Sequence, residues 1–280
     1  MKEDSSGSLK RSEVEMRNNT MPLNEIVRAA RLWPIWLRVG LQDIQMRYRR
    51  SAVGIGYIFL NLAVMVAALA LIYSVILGQN LKTFLPFLTA GFIIWGYITA
   101  SVVEGGGAFL SAEGYIKQMS LPLYVYVFRS FVRITATTLL TLPVYLFVAA
   151  AYSVPFRWGV LWFFLGVLLL GMTCFLMIAI FAHLNVRIRD TAYISSLVLQ
   201  VMFFVTPIIW PPESLRFAKF RWVLHFNPFY HLMEVVRHPL IASEAATHLN
   251  YLVVAMTICG LSIVTWILTK CFISRVAYFL

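Results

Sequence analysis

Charge is scarce in this 280-residue sequence: 12% of residues are Asp, Glu, Lys or Arg, against 60% that are hydrophobic. A water-soluble domain of this size could not stay dispersed behind so thin a polar coat, so the solvent for most of the chain is lipid. The scarcity is sharpest between Arg50 and Lys82, where no charged residue occurs. A helix from Val53 to Leu77 there covers the roughly 30 Å hydrocarbon thickness with some tilt. A short apolar stretch near the start is also missing, which argues against a cleaved signal peptide.

Other absences remove whole classes of chemistry. The only three cysteines, Cys174, Cys259 and Cys271, lie in or beside apolar runs at spacings that fit neither a zinc site nor a redox pair. No G-x-x-x-x-G-K-[ST] occurs, so the chain cannot cradle nucleotide phosphates in the P-loop manner, and any ATP is hydrolysed by a partner. Glu104-Gly105-Gly106-Gly107 has no lysine or hydroxyl at the needed place, and its glycines read as the end of a span and a turn. The five histidines never form H-E-x-x-H, and His231 with Glu234 is a lone pair at i, i+3, so no metal site is expected. Without closely spaced carboxylates near a membrane face, no catalytic residue is assigned. The sequon Asn18-Asn19-Thr20 carries no weight in a tail expected to be cytoplasmic.

What the sequence does have is basic charge, to a net of +11. Ten of the 23 basic residues precede Ser51, and no nucleic-acid motif accompanies them, so nucleic acid is not expected as a partner. A polybasic segment there holds membrane lipids and fixes orientation. Residues 1–22 read as a flexible cytoplasmic tail. Residues 23–52 read as an amphipathic interface helix bent near Pro34, with Leu37, Leu41, Ile44 and Tyr48 as the apolar stripe and Arg38, Gln42, Gln45 and Arg49 beside it.

Residues 53–280 then form the membrane domain. Its apolar stretches are Val53–Leu77, Phe84–Val103, Ile134–Val154, Trp158–Ala182, Thr191–Trp210 and Leu249–Thr269. The expected fold class is therefore an all-α integral membrane protein of six transmembrane helices. With both termini cytoplasmic, 17 of the basic residues fall on the inner side and six outside, as the positive-inside rule asks. Arg129 and Arg133 belong at the cytoplasmic mouth of the third span, and Asp190 caps a helix or pairs with Arg187 or Arg189. Between spans five and six, Pro211–His248 is too polar to span and too apolar for a free loop, and is expected to fold back as re-entrant helices. Asn227 and Pro228 form an N-cap and first-turn pair there. Aromatic residues gather toward the ends of spans, as interfacial or packing residues.

Four segments, in order, resemble the permeases of type 2 ABC exporters, in particular those of the polysaccharide (O-antigen) export family. They are Arg47-Tyr48-Arg49-Arg50-Ser51-Ala52-Val53-Gly54, Ile116-Lys117-Gln118-Met119-Ser120-Leu121-Pro122-Leu123, Arg189-Asp190, and Thr206-Pro207-Ile208-Ile209-Trp210 with Asn227-Pro228. The resemblance covers residues 23–280. It implies a homodimer in the bacterial inner membrane, with two copies of a separate ABC ATPase that binds ATP and Mg, while this chain binds no cofactor. It further implies an N-terminal interface helix, and a coupling segment after the second span that carries Glu113, Lys117 and Gln118. An external gate would lie at Asn227, Pro228 and Phe229. The cargo implied is a lipid-diphosphate-linked glycan. Arg47, Arg49 and Arg50 are candidates to meet its diphosphate at the entrance, and Tyr57, Phe59, Tyr73, Phe203, Phe204 and Trp210 to line the passage. Two other readings stay open: a type 2 exporter of a small drug or lipid, and a polytopic membrane glycosyl- or acyltransferase.

Overall fold

The computed structural model describes residues 22–49, 54, 56–155, 157–188, 190–212, 221–272, 276 and 280. The expected tail up to residue 21, Arg50 with the three residues after it, and Arg189 lie outside the described residues. Everything regular among those residues is helical.

Two helices precede the first span, α1 (Pro22–Arg31) and α2 (Trp33–Tyr48). The bend between them falls at Leu32, where Pro34 opens α2. The Trp36 indole N–H reaches back to the Ala29 carbonyl at 3.1 Å and its ring stacks on Phe128 at 5.0 Å. The buried stripe of α2 differs from the expected one. Ile44 is buried, but Leu41 is exposed, and the centre of the contact is Gly40. A Cβ there would sit 2.8 Å from the Arg129 carbonyl oxygen, so the helices meet backbone to backbone where the residue is smallest. The stripe follows that close approach rather than the leucines.

The membrane part begins with α3 (Gly56–Leu77). Gly78 at φ 64° ends it, with Gln79 N–H donating to the Ser74 carbonyl at 2.9 Å, a left-handed cap that glycine adopts without strain. Asn80 caps α4 (Leu81–Val103) by accepting from Lys82 N–H at 2.9 Å. α4 is the centre of the molecule, packing on α3 and on most helices described below. Its Thr89 and Ser101 hydroxyls bond to carbonyls one turn back, at 2.7 Å each, so they enter the core satisfied.

Two 3-10 turns and α5 (Glu113–Gln118) lead to α6 (Tyr124–Leu139) and α7 (Leu142–Ala151). Together α6 and α7 form one span broken at Leu140–Thr141, where Pro143 opens α7. This helix starts ten residues before the expected Ile134, so its first turns carry Arg129 and Arg133. Next come α8 (Leu161–Arg187), about 40 Å long at 1.5 Å per residue, and α9 (Thr191–Val205). α10 (Arg221–Phe226), α11 (Pro228–Ala242) and α12 (His248–Phe272) follow.

Among the described residues, five helices are long and apolar enough to cross a membrane: Gly56–Leu77, Leu81–Gly107, Tyr124–Ala151, Leu161–Arg187 and His248–Phe272. The fifth expected span is instead the 15-residue α9, about 22 Å long and short of the bilayer core. It stops because Thr206 precedes Pro207 and is extended, at φ −87° and ψ 136°.

Candidate functional site

Three carboxylates fasten the N-terminal helices to the start of the α6 span. Glu25 on α1 is buried and accepts the Leu123 N–H at 2.8 Å, an end-of-helix donor that would otherwise lack a partner. Asp43 on α2 takes Arg129 in a two-pronged pair, at 2.7 Å from Nε and 2.8 Å from Nη2. Glu104, just past α4, accepts from Arg47 at 2.9 Å and from Arg133 at 3.0 Å through one oxygen, Oε2. That hydrogen bond raises the pKa of Arg47 above its already high ordinary value.

Above this ionic cluster lies a cleft of about 270 Å³ between α2, α3, α4 and α6. Arg47, Glu104, Tyr57, Asn61, Tyr97 and Thr137 are among the residues that line it. Asn61 is exposed on a mostly apolar helix; an amide on a membrane-length helix is costly unless it faces water or a partner. Arg49 lines a neighbouring space of about 540 Å³ with Gln42 and Gln45.

The expected aromatic residues divide. Tyr57 borders the cleft, while Phe59 is absent from its lining. Tyr73 packs on the core. Phe203 lies 5.7 Å from Phe92 and 6.1 Å from Trp95. Trp95 in turn meets Phe229 at 5.6 Å, so these rings knit α4, α9 and α11 together. Phe204 is exposed, and the Trp210 indole donates to the Phe204 carbonyl at 3.2 Å.

Asn227 caps α11, its oxygen accepting from Phe229 N at 3.0 Å and Tyr230 N at 3.4 Å. Its amide donates to Thr206 Oγ1 at 2.9 Å, so two motifs 21 residues apart meet. Arg237, counted from sequence among the outer positive charges, is buried. It donates to the Pro207 carbonyl at 2.7 Å, pairs with Glu234, and stacks 4.0 Å from the Phe87 ring centroid.

On α5, Ile116 is buried, and Lys117 bonds Glu113 at 2.6 Å and the Leu280 carbonyl at 2.9 Å. Gln118 is exposed. The glycines after α4 turn the chain as expected, and two also admit a neighbour: a Cβ at Gly105 would lie 2.5 Å from Ile178 Cγ1, and one at Gly106 2.5 Å from Asn185 Nδ2. Asp190 caps α9 through its backbone alone, without the side-chain cap expected; Arg187 instead stacks on Phe272 at 4.9 Å.

Glu25, Asp43, Asn61 and Arg237 were not singled out from sequence. The signal for Asn61 was legible, since it is a lone amide in an apolar run. The others needed the helix packing.

Membrane-length helices among the described residues define a multi-pass membrane protein. The family model described as the ABC-2 type transporter matches residues 39–241, and the chain belongs to that family. It is similar to the O-antigen export system permease protein RfbA of Myxococcus xanthus, 28% identical over 193 residues, which is 69% of this chain and 74% of that protein. Two proteins of the same name from Klebsiella pneumoniae are 23% identical over 232 residues, 79% of this chain and 87% of each. The chain is thus a transport subunit that moves a substrate rather than transforming it, and its ATPase is a partner.

Proposed function

We propose that this chain is the permease of an exporter that carries lipid-linked, O-antigen-type polysaccharide from cytoplasm to periplasm. In this reading it works in the bacterial inner membrane as a homodimer, with both termini cytoplasmic and two copies of an ABC ATPase beneath. α9 and the segment Thr206–Trp210 together serve as a sixth crossing, with α10 and α11 folded back into the outer leaflet. ATP and Mg act on the partner, whose stroke is received at Glu113, Lys117 and Gln118. Asn227, Pro228 and Phe229 belong to the outer gate.

The observation that carries the reading is the cleft beside α3, bordered by the Arg47–Glu104 pair and offering, among apolar residues, the Asn61 amide and the hydroxyls of Tyr97, Thr137, Thr138 and Thr141. A glycan on a lipid diphosphate cannot shed its water into hydrocarbon; such a cleft offers replacement partners. Glu104 holds Arg47 and Arg133 through a single oxygen, so an arriving diphosphate can draw Arg47 away while Arg133 stays neutralised. Arg49 adds charge on the neighbouring space, and Arg50 follows it in sequence. The names of the relatives support the cargo class.

The test is surface glycan in cells that depend on this permease. Replacing Arg47 and Arg49 with Glu should abolish surface glycan while the ATPase still co-purifies with the chain. Normal display would remove the arginines from the mechanism. Chemical conversion of a substrate by the purified chain alone would overturn the transport reading.

A further inference from the structure

A second cavity, distinct from the cleft, lies where the broken third span parts from α8. α6 packs on α8, whereas α7 leans on α3 and α4, and the divergence leaves about 690 Å³ open under α11. Phe131, Tyr145, Phe163, Leu170 and Phe175 form its walls, and no charged residue lines it. The lining hydroxyls are largely spent within the protein. Tyr97 and Thr135 bond each other at 2.7 Å, Tyr145 donates to the Leu240 carbonyl at 3.0 Å, and Ser262 to the Ile258 carbonyl at 2.7 Å. Thr138 lies on the wall shared with the cleft. A sugar or phosphate would find little to replace its water there.

The rim is formed by Leu139, Phe164, Leu168 and Met172, all exposed. The cavity is therefore continuous with the lipid-facing surface of the third and fourth spans. Its size falls in the roughly 300–1,000 Å³ range of natural ligand sites. An apolar cavity of about 150 Å³ holds one benzene, so this one has room for a chain on the order of twenty carbons. A helix, about 10 Å across, is too thick to enter.

We propose that this cavity holds an acyl chain of a bilayer phospholipid, entered sideways from the membrane and kept as part of the folded permease. A void of this size left empty would forfeit the contacts that make a core. The chain does not come from the cargo, because the cleft and the cavity share a wall of Ile93, Tyr97 and Thr138 closed by the Tyr97–Thr135 hydrogen bond. An amphiphile whose head sits at Arg47 cannot pass its tail through that wall. The inference depends on the membrane fold alone and stands apart from the identity of the glycan.

Gly171 supplies the test. A Cβ there would meet only Phe131 Cζ, at 3.9 Å, so a larger side chain points into the open cavity. The full chain is reconstituted in vesicles of phosphatidylethanolamine and phosphatidylglycerol with deuterated acyl chains, re-extracted, washed in delipidating detergent and weighed by native mass spectrometry. The wild-type chain should keep at least one deuterated phospholipid, Gly171→Phe should lose it, and Gly260→Phe, with bulk on an exposed face outside the cavity, should keep it. A wild-type chain without phospholipid, equal retention by Gly171→Phe, loss from Gly260→Phe, or an isoprenoid diphosphate as the retained molecule would each overturn the proposal. A photoactivatable acyl chain adds a readout that needs no variant: it should label the peptide from Phe163 to Leu176, and labelling confined to other spans would overturn the assignment.

Discussion

Replacing Asp43 with Asn isolates the cost of the charge that holds α2 against α6. Arg129 makes two charge-assisted bonds to Asp43, with side-chain exposures of 19% and 14% for the partners. A surface ion pair contributes about 0–1 kcal/mol, while stripping one partner from a buried pair costs about 3–5 kcal/mol because the remaining charge is left bare. This pair is nearer the second limit. Asn keeps one acceptor but neutralises the compensation, so the expected loss is about 2–4 kcal/mol. At about 2–4 °C per kcal/mol for a chain of this order of size, Tm should fall by about 4–16 °C. The assay is the temperature at which half the detergent-solubilised protein loses its monodisperse chromatographic peak. Adding Arg129→Met should restore at least about half of the loss by removing the bare charge. A shift of Tm within about 1 °C for Asp43→Asn, or simple additivity of the two substitutions, would refute the argument.

Gly166→Ala should lower the same midpoint strongly and Gly96→Ala barely, because a Cβ at 166 would overlap the Val235 carbonyl of α11 whereas one at 96 meets nothing within 4 Å; the expected cost at 166 is about 1–3 kcal/mol. Equal midpoints for the two would contradict that packing. Arg237→Lys should not rescue function, since a lysine cannot serve the Pro207 carbonyl, Glu234 and the Phe87 ring together; we expect about 2–4 kcal/mol of lost stability, read in the same assay. Asn227→Ala removes a helix cap and orphans Thr206, at about 1 kcal/mol for the cap and more for the buried hydroxyl. Protease sensitivity between α9 and α11 should rise, and an unchanged digestion pattern would argue against the link.

Hydropathy located the spans because an apolar run must satisfy its own backbone in lipid. It missed where helices break. α9 ends at Val205 rather than Trp210, for a local reason that Pro207 already announced. The third membrane-length helix starts early, at Tyr124, and its first turns carry Arg129 and Arg133 paired to Asp43 and Glu104; a run-based reading begins only where the arginines stop. Of the site, Arg47 and Tyr57 could be named from their place beside a span. Glu25 and Asp43 could not, since an acid on a short polar helix looks solvated until the facing donors are placed. The α2 stripe failed for a similar reason: periodicity weighs side-chain hydrophobicity, while the contact was decided by Gly40 having no side chain.

α8 carries tight glycine contacts near both ends: Gly166 within it lies against α11, and Ile178 and Asn185 lie against the glycine turn after α4. Neither contact leaves room to slip by even a methyl group. The fourth span therefore behaves as a connecting rod some 40 Å long, with a bearing at each end and no slack in either. Displacing one end of it alone would drive a side chain into backbone at the other, so the two ends are expected to move as one.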